Sequence, residues 1–198
     1  MAQIQNALDE VVLVNNRKMA LLHTMSEQVH VVARCIRSMV LITEAADDAA
    51  EQKAIQAARA QYEAAWADLE KMPGGPEALT RRQAIAAARD IARPLNDQAI
   101  KAGVENEYDL ATTLVLKKAG PASAAWQAAI DADIAAQDAA NKQAHEAAQA
   151  DYAAARTLVL GFALLSLLGA GALAVGVVRS VLADLGGEPA DARRVATA

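Results

Sequence analysis

The chain has 198 residues, with 19 Lys and Arg against 24 Asp and Glu and a formal net charge of −5. That balance argues against a nucleic-acid partner, which demands a basic face, and two Trp, three Tyr and one Phe offer few platforms for stacked bases. Abundant Ala, with Gly and Pro few and clustered, predicts an all-α protein of long helices, and the single cysteine, Cys35, excludes an internal disulfide.

The first predicted helix runs to about Ala46. Ile4, Leu8, Val11, Asn15, Lys18, Leu22, Met25, Val29, Val32, Ile36, Met39 and Thr43 alternate steps of four and three, a heptad seam broken only at Asn15, Lys18 and Thr43. At 1.5 Å per residue the seam is about 59 Å long, which is the length of a bundle helix. Asp47 or Asp48 supplies N-cap chemistry for a second helix ending near Lys71, with Ala58, Tyr62, Trp66 and Leu69 along one face. "MPGGPE" breaks the chain.

A third helix starts near Pro76 and runs to about Ala102, with Pro94 expected to kink it and Gly103 to end it. "ENEYDLATTLVLKKAGP" reads as a shorter helical piece closed by Gly120-Pro121. The last helix, with Trp126, Ile130 and Ile134 four apart, has no Gly before Gly161 and no Pro before Pro189. From Ser123 to Val178 it would measure roughly 84 Å. The expected architecture is an antiparallel up-down-up-down four-helix bundle whose last helix is continuous with a transmembrane helix. The ends of the first and fourth helices near Asn15, Lys18, Gln137, Asn141, Ala144 and Ala148 lack large apolar residues, so packing there is expected to be weak and wet.

Thr157 to Val178, "TLVLGFALLSLLGAGALAVGVV", carries no charge and is bracketed by Arg156 and Arg179. Its length of about 22 residues spans a bilayer, and Gly169, Gly171, Ala172 and Gly176 would let a neighbouring helix approach closely. Arg179, Arg193 and Arg194 lean towards a cytoplasmic C-terminus in an inner membrane, leaving residues 1–156 periplasmic. "MAQIQNALDE" has no apolar stretch of a signal peptide, so a first membrane helix is expected ahead of it.

The order of a long outer bundle, a membrane helix continuous with its last helix, and then "LADLGGEPADARRVA" resembles the bacterial methyl-accepting chemotaxis receptors with a four-helix-bundle sensor domain. "LGGEPADA", Leu185 to Ala192, is similar to the start of the HAMP linker. "VARCIRSMVL" and "PASAAWQAAI" also resemble that family. The resemblance implies a sensor domain at 1–156, a membrane helix at 157–178 and the start of HAMP at 179–198. It also implies a homodimer that binds a small organic acid and relays the signal by a helix shift.

No enzyme constellation, phosphate loop or cofactor motif stands in the sequence, and no cofactor is expected. His23 and His30, seven apart and off the seam, make a poor metal pair and read as surface histidines. Guanidinium forks suit carboxylates, which makes the arginines the candidate ligand-binding residues. Arg34 and Arg37 lie three apart and face away from the first seam; a solvated surface pair is the plain alternative. In the family, arginines of this part of the first helix reach ligand at the dimer interface. Arg82, Arg89 and Arg93 follow the inner edge of the third helix, with ion pairing to Glu63 or Glu70 as the alternative. Counting from the helix tips sets Arg93 and Arg37 at one level.

Tyr108, Thr112 and Thr113, with Lys117, Lys118 and Ser123, belong to a stretch that contributes polar ligand contacts in the family, against ordinary loop polarity. Trp126 is read as core in preference to a pocket lid. The ligand class expected first is a di- or tricarboxylate of central metabolism, acting as an attractant. Amino acids come next, and aromatic acids last. The sensor half of a histidine kinase, or a bundle served by a periplasmic partner protein, remains open.

Overall fold

The computed structural model describes residues 2–41 and 45–184 of the backbone, and side-chain surroundings for 13–40 and 48–183. The helices are α1 (Ala2–Leu41), α2 (Ala45–Lys71), α3 (Pro76–Val104), α4 (Tyr108–Leu114) and α5 (Gly120–Asp184), with a π-turn at Val115–Ala119 between the last two. The chain divides into two compact units, residues 1–144 and 145–198. The first is an antiparallel four-helix bundle, in which α4, the π-turn and the first part of α5 form the fourth column.

The described part of the α1 seam is buried as its spacing predicts: Leu22, Met25, Val29, Val32, Ile36 and Met39 all face the core. Leu21, Gln28 and Cys35, seven apart, widen that face. Leu22 and Met25 are fully buried, each contributing about 1.5–3 kcal/mol of hydrophobic stabilisation. On α3 the alternating seam is Ala78, Arg82, Ile85, Arg89, Ala92, Asn96, Ala99 and Gly103, so arginines occupy two of its positions. The core forms two clusters: one around Leu22, Tyr62, Trp66, Ile85, Trp126 and Ile130, the other around Cys35, Ile36, Met39, Ile55, Ala102 and Leu114.

Several boundaries differ from the sequence expectation. Asp47 and Asp48 lie inside α2, which starts at Ala45. Gly103 is internal to α3. The helix ends in a Schellman arrangement in which Asn106, at φ 61°, replaces the usual glycine. Asn106 N–H bonds the Gly103 carbonyl at 3.0 Å, and Glu107 N–H bonds the Ala102 carbonyl at 2.9 Å. Asparagine tolerates the left-handed region better than most residues, so the stop signal sits three residues past the glycine. α3 runs through Pro94 as one helix.

Gly120-Pro121 does not close the fourth element. Pro121 has no N–H to offer, and its ring crowds the carbonyl four residues back. The backbone widens into a π-turn there, with Gly120 N–H bonded to the Val115 carbonyl. A Cβ at position 120 would stand 2.5 Å from that carbonyl oxygen, so glycine is the residue that fits. The buried positions record the extra residue: Ala111 and Leu114 step by five to Ala119. The steps then return to four and three through Ser123, Trp126, Ile130, Asp133 and Gln137. Asp133, three past Ile130, takes the core position expected for Ile134, which is partly buried beside it.

At the polar end of the bundle Asn15, Asn141, Ala144 and Ala148 are part-exposed. Lys18 and Gln137 are buried there.

The second unit is the remainder of α5. It is exposed along most of its length among the described residues and is long and apolar enough to cross a membrane. "LGGEPADA", Arg193 and Arg194 lie outside the described residues.

Candidate functional site

Two arginines, three aromatic rings and an acid converge on the first core cluster. Trp126 on α5 donates its indole N–H to the Tyr62 hydroxyl on α2 at 3.1 Å, and the rings meet edge to face with centroids 4.9 Å apart. The Arg93 guanidinium of α3 lies 5.6 Å from the Tyr62 ring centroid and 5.7 Å from that of Trp126. Arg89, one turn away on the same helix, lies 5.4 Å from the Trp66 ring. Such cation–π stacking suits guanidinium and pre-orients its fork.

The rim acids are more exposed than the arginines they hold. Glu63 pairs with Arg93, and Asp90 accepts from Arg89 Nε at 3.0 Å. The side chains of Arg93 and Arg89 are 29% and 19% exposed, against 46% for Glu63 and 66% for Asp90. Ion pairs of this exposure contribute about 1 kcal/mol or less. Arg93 Nε is buried and has no hydrogen-bond acceptor. Burial pushes the Tyr62 hydroxyl up to about 12, against the pull of the Trp126 hydrogen bond and of Arg89 and Arg93, so the ring stays a neutral floor. The chemistry on offer is a stacked pair of guanidiniums whose carboxylate partners a stronger carboxylate could displace.

Of the residues singled out in the sequence, Arg89, Arg93 and Trp126 come together here, with Trp126 buried as core. Arg34 and Arg37 are exposed on α1, flanking Cys35 and Ile36 of the other cluster. They are not level with Arg93. Gly103 packs against Met39, so α3 is set lower against α1 than counting from the tips suggests, and Arg93 stands about 12 Å below Arg37. Tyr108 donates to Asn106 Oδ1 at 2.7 Å within its own turn, and Thr112 and Thr113 are exposed on α4. Arg82 serves the α2–α3 turn, donating Nη1 to the Met72 carbonyl at 3.0 Å. Tyr62 and Trp66 were read in the sequence as core alone. Glu63, next to Tyr62 and three before Trp66, pairs with Arg93, and that proximity was the local hint of a shared site.

Nothing among curated proteins matches the chain. A solved periplasmic sensor domain of a sensor histidine kinase is similar in fold, with a TM-score of 0.57 at 20% identity, covering 71% of this chain and 94% of that one. The family described as a four helix bundle sensory module for signal transduction matches residues 1–152. With that match over most of its length, the chain belongs to the family of four-helix-bundle sensory modules.

Proposed function

We propose that the chain is the sensing half of a chemoreceptor. Residues 1–156 form its periplasmic ligand-binding bundle, residues 157–178 its membrane helix, and residues 179–198 the start of a HAMP linker on the cytoplasmic side. The ligand is a small carboxylate attractant, a di- or tricarboxylate before an amino acid, and no catalytic step is involved. The observation that carries this reading is the stacking of Arg89 and Arg93 on Trp66, Tyr62 and Trp126, with only exposed acids as their partners. A ligand carboxylate exchanging with Glu63 would change what ties α2 to α3. Differential affinity for two helix arrangements is all a population shift requires. Because α5 runs on from the bundle into the apolar segment, a shift of about 1–2 Å along it would pass to the next module. A homodimer is the working unit.

The second reading is the sensor half of a histidine kinase, favoured by the solved domain it resembles. Residues downstream of Ala198 separate the two: a long heptad hairpin, or a kinase domain.

Calorimetric titration of the full chain in detergent against organic acids and amino acids tests the ligand. Saturable binding of a dicarboxylate, weakened at least about tenfold by Arg93→Ala and unchanged by Arg17→Ala, is the expected result. A folded bundle that is heat-silent across the panel would redirect the reading to a protein partner.

A further inference from the structure

Where the α2–α3 turn closes the bundle, three cations face one buried carboxylate. Asp133 is 1% exposed; its Oδ1 accepts from Arg81 Nε at 2.8 Å and from Gln137 Nε2 at 3.4 Å, while its Oδ2 is buried with no partner. Arg82, 6% exposed, donates Nη1 to the Met72 carbonyl and packs beside Gly74, and its Nε is buried with no acceptor. Lys18 arrives from α1, 8% exposed, and has no hydrogen bond or ion pair among the described residues.

Among the described residues, other acids near this end are engaged or point to solvent. Glu77 of α3 is 94% exposed and 4.0 Å from Arg81. Asp68 of α2 holds Arg17 at 3.6 Å and Lys71 at 3.2 Å, and Glu70 is exposed. On α5, Asp131 accepts from Gln127 and Asp138 is exposed. Asp133, already paired with Arg81, thus leaves Arg82 and Lys18 without an acid partner among the described residues, and a charge held in low-polarity surroundings without a partner is penalised. Burial first, then Arg82, pulls the Lys18 ammonium below its ordinary value, with Asp133 opposing them.

We propose that this layer binds a small oxyanion that carries a hydroxyl, in the class of hydrogen phosphate or bicarbonate. Its charged oxygens take the Lys18 ammonium and the Arg82 Nε, and its hydroxyl donates to the Asp133 Oδ2. Such a molecule supplies an acceptor for the Arg82 Nε, a donor for the Asp133 Oδ2 and negative charge beside Lys18. A fully deprotonated oxyanion such as sulfate supplies the charge but sets lone pairs against the Asp133 carboxylate. Asp133 lies two turns beyond Trp126 on α5, about 10 Å away, so this site is separate from the one at Arg89 and Arg93.

The test is calorimetry and thermal unfolding of the full chain in detergent, at near-neutral pH and constant ionic strength, with inorganic phosphate, bicarbonate and sulfate in turn. Phosphate or bicarbonate is expected to bind saturably and raise the Tm, whichever does so identifying the shape the site accepts, with sulfate at least about tenfold weaker. Lys18→Met should abolish the effect and Arg93→Ala should leave it intact. Asp133→Asn should erase the preference over sulfate, because an amide donates as well as accepts. If that variant does not fold, the phosphate-to-sulfate ratio of the parent and the Lys18→Met result decide. No saturable binding, equal binding of phosphate and sulfate, or binding unchanged in Lys18→Met overturns the proposal.

Discussion

The indole N–H of Trp126 is satisfied by the hydroxyl of Tyr62, 3.1 Å away across the bundle interior, and both rings are buried. Tyr62→Phe keeps the edge-to-face contact and removes the acceptor, stranding a buried donor. The expected loss is about 1–3 kcal/mol of unfolding free energy, read by urea denaturation followed by circular dichroism. Trp126→Phe in the same background should then lose less than it does alone, giving a coupling of about 0.5–1.5 kcal/mol in a double-mutant cycle.

Two glycines on helices should respond oppositely to alanine. At Gly103 a Cβ meets Met39 at 3.7 Å, ordinary contact, and the better helix former should raise stability by about 0.5–1 kcal/mol. At Gly120 the Cβ collides with the Val115 carbonyl oxygen, so the π-turn must shift and stability should fall by about 1–3 kcal/mol. Thermal unfolding of the two variants beside the parent measures both signs.

Ion pairs should rank by burial. Asp133→Ala leaves Arg81 without its buried partner and is expected to destabilise by about 3–5 kcal/mol. Asp97→Ala breaks the pair with Arg59, which is more than half exposed on its acid side, and should change stability by about 1 kcal/mol or less. Denaturant midpoints at low and high salt separate them, since only the second weakens with screening.

Cys35 gives a pH signature. Burial first, then the neighbouring Glu51, pushes its thiol from an ordinary 9.0 up to about 11. The folded state therefore holds the proton more tightly than the unfolded chain. The stability this contributes is full below about 9 and is lost as pH rises through about 11. Iodoacetamide labelling at mild alkaline pH should be slow in the folded protein and fast in urea. In Cys35→Ala the stability fall should begin about one pH unit later, where Tyr62, raised from 10.0 to about 12, takes over.

The bundle was legible because seams of three and four survive interruption. Leu22 to Met39 announces α1, and Tyr62, Trp66 and Leu69 announce the inward face of α2. What could not be read was register between helices. It depends on where each helix stops, and Asn106 stops α3 where Gly103 was expected to. That displacement, together with α1 giving way to α2 before Asp47, sets Arg93 beside Tyr62 and away from Arg37. The charged layer was hidden for a related reason. Lys18 and Asp133 look like breaks in their patterns, and the ordinary steps of four and three from Trp126 through Ile130 carry Asp133 into the core.

That added residue also makes one place in the fourth column where chain length is negotiable. Leu116, Lys117 and Lys118 are exposed, and the step from Leu114 to Ala119 is one longer than the seam needs. Deleting one of the three would leave Ala111 and Leu114 on one side, and Ser123 through Gln137 on the other, still facing inward. A deletion anywhere between Ser123 and Gln137 would turn one side by about 100° and present its core residues to water. Natural variation in length within this column should therefore concentrate at the turn before Pro121.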